Sequence, residues 1–179
     1  MFDVVSGHWQ KSHEEGCARY AKIFRVPLPR RYPLVIASAG GFPKDINFIQ
    51  SHKALDNAFT ALAPGGTLIL AAKCEDGFGS RQFFPWFRFG NAEEMERELR
   101  ANYQIYGQTA HATFVKAKAC HVVLVSSLRP ENVERMGMIP ASSLGDALKK
   151  AEDRLGTLPV PLLMPDAGYV LPDVPGAGA

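Results

Sequence analysis

The chain is constrained most by four short apolar runs that hardly alternate: "PLVIASA" at 33–39, "TLILAAK" at 67–73, "HVVLVSSL" at 121–128 and "VPLLMP" at 160–165. A strand with one wet face alternates apolar and polar residues, so runs without alternation describe strands covered on both faces. Segments of helical period lie between them, at 8–22, 47–62, 91–101, 107–118, 130–136 and 143–155. Strands separated by helices are joined by right-handed crossovers. The expected architecture is therefore α/β: three layers, a mostly parallel sheet flanked by helices, Rossmann-like. The opening "FDVVS" at 2–6 reads as one more strand.

Several helix ends carry stop and start signals. "PGG" at 64–66 reads as the stop of the second helix, Asn91 and Ser143 as N-caps, and Gly156 as the end of the last helix. With 179 residues, 46% of them hydrophobic, the chain can bury one sizeable core. That suits a single α/β domain over 1–172, followed by the Pro/Gly-rich tail "DVPGAGA" at 173–179. A net charge of +2 without a run of like charges argues against nucleic acid as a partner. Cys17, Cys74 and Cys120 are far apart and odd in number, which suits reduced thiols and a cytoplasmic location. The start lacks the features of a secretory signal and no apolar run is long enough to span a bilayer, so no membrane association is expected.

In parallel sheets ligands collect beyond the carboxyl ends of the strands, which directs attention to the loops after the first two runs. The first loop holds Gly40 and Gly41, suited to close backbone approach or positive φ, then Pro43, Lys44 and Asp45. The second, "CEDGFGS", places Glu75 and Asp76 in a turn loosened by Gly77 and Gly79. Gly40, Gly41, Asp45 and Asp76 are thus candidate cleft residues, with ordinary turn chemistry as the competing explanation.

On the helix from 47 to 62, Phe48, Leu55, Ala58, Phe59 and Leu62 form one stripe, whereas Gln50, Lys53, Asn57 and Thr60 form another. Gln50 and Lys53 are neighbours in the first two turns. A carboxylate approaching that end would meet an ammonium, an amide donor and free backbone N–H groups together. Two plainer assignments compete. Gln50 can close a capping box with Asn47, and Lys53 can pair with Asp56 or be solvated.

The histidines form no catalytic set. His13 and Cys17 are four residues apart but have no third ligand nearby, so no metal site is expected there. His8 reads as part of the first helix start, His52 as a packing residue, and His111 and His121 have no identifiable partner. The G-x-S-x-G, H-E-x-x-H and P-loop signatures are absent.

The segment 34–79, with "AGG-P-DIN", the Gln-x-x-Lys step at Gln50 and Lys53, "PGGT" before a strand and the "DG-G" loop after it, resembles the carboxyl-terminal domain of the nickel-dependent lactate racemase (LarA) family. "HVVLVSSL" and "PLLMPDAGYVLP" extend the likeness to about residue 172, and "SGHWQKSHEEG" is similar to the family's entry into this domain. The resemblance implies an isomerase that racemises or epimerises a small 2-hydroxy acid by moving a hydride to and from a nickel-pincer nucleotide. It further implies that the cofactor lysine, the nickel histidine and the acid–base histidines belong to an N-terminal racemase domain, present in cis or in trans. The share of this chain would be substrate binding through Gln50 and Lys53, with no catalytic residue and no cofactor of its own. A separately expressed domain or a fragment, inactive alone, is the expectation. Ile49 stands where the family usually has an aromatic residue, often tyrosine, so the substrate can differ from lactate.

Two other classes remain open at this stage. "ALAPGGTLIL" is also similar to a late loop and strand of methyltransferase domains, although "SAGGFP" lacks the glycine fingerprint of a nucleotide site. A regulatory domain that kept the fold and lost the chemistry is the other.

Overall fold

The computed structural model describes residues 3–175. In chain order it contains α1 (Trp9–Phe24), β1 (Arg25–Pro27), β2 (Tyr32–Ser38), α2 (Phe48–Ala61) and β3 (Leu62–Ala71). A 3-10 turn (Phe84–Arg88), α3 (Ala92–Ala101), α4 (Gly107–Ala119) and β4 (His121–Val125) come next. The rest is α5 (Pro130–Arg135), β5 (Ile139–Ala141), α6 (Leu144–Leu155), β6 (Leu162–Met164) and β7 (Leu171–Asp173).

Five strands form one sheet in the order β5-β4-β3-β2-β6, parallel throughout. The centre carries the least interrupted apolar runs, and there Leu68, Ile69 and Leu70 are fully buried, with Val122, Val123 and Leu124 almost so. Alternate side chains divide between two layers. Val35, Leu68, Leu70, Val122 and Leu124 join the large core under α2, α4 and the aromatic 3-10 turn. Leu34, Ile69 and Val123 point the other way and pack with Ala147 and Ala151 of α6. The three-layer, parallel α/β expectation therefore describes this fold.

Three expectations are corrected. Residues 3–6 of "FDVVS" form no strand, and Phe2 lies outside the described residues. The short strand near that end is instead β1, which pairs in parallel with β7. "PGG" does not stop α2, whose C-cap is Leu62 in extended conformation. It lies within β3, where the register against β2 jumps from Tyr32–Leu62 to Leu34–Thr67. Extra residues on one strand make a bulge, and Gly65 supplies the positive φ of 68° it requires. Asp173, placed in the tail, pairs with Pro27, and Val174 is buried; 176–179 lie outside the described residues.

The caps follow the sequence more closely. The side-chain oxygens of Asn91 and Ser143 accept from the backbone N–H of Glu94 and Asp146, and Gly156 ends α6 with φ 77°. His8 holds the N-cap position of α1 but makes no side-chain cap bond. Among the described residues no helix is long and apolar enough to cross a membrane. Cys17 is exposed, while Cys74 and Cys120 are buried, and burial pushes each of these two thiols up to about 11.

His52 packs inside, at the α2–α4 interface. Its Nδ1 lies 3.4 Å from Asp56 Oδ2, and Asp56 Oδ1 lies 2.8 Å from Lys116 Nζ of α4. Burial lowers the His52 pKa below its usual 6.5, prevailing over the opposing pull of Asp56. A folded-state pKa below the unfolded one means that the unfolded chain binds the proton more readily. The stability from neutral His52 is therefore full above about pH 6.5 and is lost as pH falls below it. Thermal melts between about pH 7 and about pH 5 should show a smaller pH-dependent loss in His52→Gln than in the native chain. Equal slopes would mean that the buried imidazole is not linked to folding.

Candidate functional site

Strands β2, β3, β4 and β5 step across the sheet in one direction, after which the chain returns to place β6 on the far side of β2. The loops leaving β2 and β6 consequently diverge, which opens a crevice at their carboxyl ends. A cavity of about 80 Å³ sits there, lined by Ala39, Lys44, Gln50, Lys53, Gly168 and Tyr169 among others. The amino-terminal part of α2 forms one wall and the 165–170 loop the other.

The loop after β2 is fastened to the loop after β3. Cys74 N–H donates to the Asp45 carbonyl (2.8 Å), Lys73 N–H to Asp45 Oδ2 (3.0 Å) and Asp76 N–H to the Ile46 carbonyl (2.8 Å). In return Phe48 N–H donates to Gly77 O (3.0 Å) and Ile49 N–H to Phe78 O (3.3 Å). Gln50 N–H is capped by Asn47 Oδ1 (3.0 Å), and Ser51 N–H reaches the Asn47 carbonyl (3.1 Å). All four leading N–H groups of α2 are thus satisfied internally. The expectation that backbone donors at this helix end are free for a ligand is wrong, because the "DG-G" loop occupies the first two and Asn47 the next two.

The donors left exposed there are on side chains. Lys53 Nζ donates to Gln50 Oε1 (2.8 Å), and both residues are exposed on the cavity wall. The capping box is half formed, since Asn47 caps Gln50 while the Gln50 amide turns to Lys53 instead. Asp56 is engaged with His52 and Lys116, and among the described residues no carboxylate lies within ion-pair distance of Lys53. The one acceptor of the pair is used internally, leaving the glutamine N–H2 and the rest of the ammonium as donors. Such a surface suits an anionic oxygen pair. Farther along the same stripe of α2, Asn57 Nδ2 donates to Ala167 O of the 165–170 loop (2.7 Å).

Gly40 has φ 93°, and a Cβ there would lie 2.5 Å from Asp166 Oδ1 and 2.7 Å from Lys44 Nζ. The missing side chain leaves the seat of an ion pair across the crevice, Lys44 Nζ to Asp166 Oδ2 at 2.7 Å. That bond raises the Lys44 pKa, and the ammonium also lies 4.9 Å from the Tyr169 ring centroid. Gly41 has φ 72° and open space beside it, so it serves the turn alone. Asp45 and Asp76 belong to the loop fastening and do not line the cavity. Ile49 is half-buried against the core. No motif in the sequence marks Lys44, Asp166 or Tyr169 as site residues; "PDAGY" stands out only once β6 is known to neighbour β2.

His13 Nε2 lies 3.6 Å from Cys17 Sγ on exposed α1, and no group of three His, Cys, Asp or Glu able to hold a metal occurs among the described residues. The "PGG" bulge sits at the amino end of β3, opposite the cavity.

Residues 30–168 match the family model of the lactate racemase C-terminal domain. The chain belongs to that family. It is 31% identical over 160 residues to the lactate racemase of Thermoanaerobacterium thermosaccharolyticum, covering 85% of this chain and 37% of that protein. It is 27% identical over 169 residues to the lactate racemase of Lactiplantibacillus plantarum, covering 90% and 39%. The chain thus spans about two-fifths of the length of these curated relatives. The structure of the T. thermosaccharolyticum lactate racemase apoprotein superposes with a TM-score of 0.82 at 32% identity, over 93% of this chain and 41% of that one. A Thermotoga maritima protein at 12% identity and a TM-score of 0.61, over 92% and 42%, shares the fold alone.

Gly40→Ala should separate Lys44 from Asp166 and force a left-handed alanine, a combined cost of about 1–3 kcal/mol. Chemical denaturation checks this, and an unchanged midpoint would show that the ion pair does not depend on the empty position.

Proposed function

We propose that the chain is the substrate-clamping, C-terminal part of a lactate racemase-like isomerase that racemises or epimerises a small 2-hydroxy acid, acting with an N-terminal racemase domain in cis or in trans. The observation that supports this reading most is the Gln50–Lys53 pair, a donor-rich surface on the wall of a small crevice whose ammonium has no carboxylate partner among the described residues. The carboxylate of a 2-hydroxy acid supplies two acceptor oxygens and one negative charge, which the pair complements. Held there, the acid loses the freedom to rotate about its carboxyl end, so its α-carbon is offered in a fixed place to groups across the cleft.

The chemistry that a nickel-pincer nucleotide supplies when bound is the removal and return of a hydride at that carbon. The donors of this chain fit the acid end of a substrate rather than a nickel ion, since no ligand set of three converges among the described residues. In this reading the role of the chain is to bind and orient, and the isolated chain has no racemase activity. Ile49 packs beside Gln50 against the core rather than in the cavity. It bears on how the amide is supported, and through that on which 2-hydroxy acid fits.

Mixing the chain with a cofactor-loaded N-terminal half of a family member and following the decay of optical activity of 2-hydroxy acids tests the proposal. Lys53→Ala and Gln50→Ala should each lower the rate at least about tenfold, the effect of roughly 1.4 kcal/mol from a lost charged or desolvated contact. Rates within about twofold of the native chain would remove the clamp from the mechanism.

A further inference from the structure

The cavity carries a second cation that the clamp does not use. Lys44 and Lys53 both line it, but their states differ. Lys44 is held by Asp166 at 2.7 Å, with only 32% of its side chain exposed, whereas Lys53 has no carboxylate partner among the described residues. The pair has a seat of its own, the space left by Gly40. Tyr169 leans over the ammonium from the same loop that carries Asp166, and the Ala167 N–H fixes that loop by donating to Ser38 O of β2 (2.9 Å).

We propose that Asp166 determines which acids the clamp accepts: by neutralising Lys44 it leaves one cation for the substrate, so the site selects 2-hydroxy monocarboxylates over 2-hydroxy dicarboxylates. The inference rests on the clamp reading of Gln50 and Lys53. A monocarboxylate engages Lys53 and leaves the Lys44–Asp166 pair intact. A dicarboxylate brings its second charge into the same small cavity, where Asp166 repels it and Lys44 is already taken. Displacing Asp166 exchanges one carboxylate for another at Lys44 and leaves the aspartate charge partly buried without a partner. Asp166 acts here through Lys44 and through its own field, as a specificity-determining residue rather than a catalytic one.

The two members of the pair predict opposite shifts. Asp166→Asn frees a cation and should move the lactate-to-malate affinity ratio about tenfold toward malate. Lys44→Met leaves an uncompensated aspartate and should move the ratio toward lactate, by about threefold or more. Asp166→Asn combined with Lys44→Met should return the ratio to near its native value. Titration of the isotope-labelled chain with L-lactate and with L-malate at constant ionic strength measures this, through the amide resonances of 47–54 and the Gln50 side chain. The native chain should bind lactate more tightly. Shifts of one sign in both single variants, or ratios within about twofold of native in both, would reduce the pair to a staple between the loops and overturn the inference while the clamp stands. If Lys53→Ala left both affinities unchanged, or if neither acid perturbed these resonances, the clamp reading and this inference would fall together.

Discussion

The site depends on the exchange of hydrogen bonds between the loops that follow β2 and β3. Asp45 accepts twice from the second loop, and the second loop accepts the first two N–H groups of α2. This exchange fixes where α2 begins, and so where its second turn places Gln50 and Lys53. It also removes the backbone as a ligand. Helix N-termini bind anions through unsatisfied N–H groups, and here none of the leading four is unsatisfied. The free donors left at this helix end are side chains on a buried support, with the helix field behind them.

Much of the fold is legible in the sequence because its signals are local. The buried runs of β2, β3 and β4 announce a parallel sheet, and Asn91, Ser143 and Gly156 mark helix ends by their own chemistry. The misreadings share a cause in tertiary pairing. Pro64, Gly65 and Gly66 are turn residues by propensity, but pairing with β2 makes them a bulge within β3. The three-residue strands β1, β5 and β7 carry too little pattern to be seen before their partners are known. The Phe84–Arg88 turn, whose Trp86 and Phe87 are buried in the main core, has no period of its own to declare it.

For the candidate site, the polar stripe of α2 was visible and its surroundings were not. Spacing put Gln50 beside Lys53, yet whether they met each other, Asn47 or Asp56 was decided by neighbours far along the chain. Lys116 and His52 occupy Asp56, and Asn47 is consumed as a cap against Gly79, where a Cβ would fall 2.4 Å from the asparagine side chain. Asp166 lies 122 positions from Lys44. A contact of that span is written in the strand order, and the strand order emerges only when the sheet closes on β6.

The two walls of the crevice rest on foundations of different depth. Gln50 and Lys53 stand on a helix whose Phe48, Ala54, Leu55 and Ala58 are sealed in the core. Gly168 and Tyr169 hang from β6, an edge strand of three residues joined in the sheet to β2 alone, with Leu163 62% exposed. The second wall is held instead by single contacts: Ala167, itself buried, donates to Ser38 O and accepts from Asn57, and Tyr169 O accepts from the Tyr20 hydroxyl. The crevice thus sets a wall built on a core helix against a wall built on an edge strand, and the Lys44–Asp166 ion pair ties the one to the other.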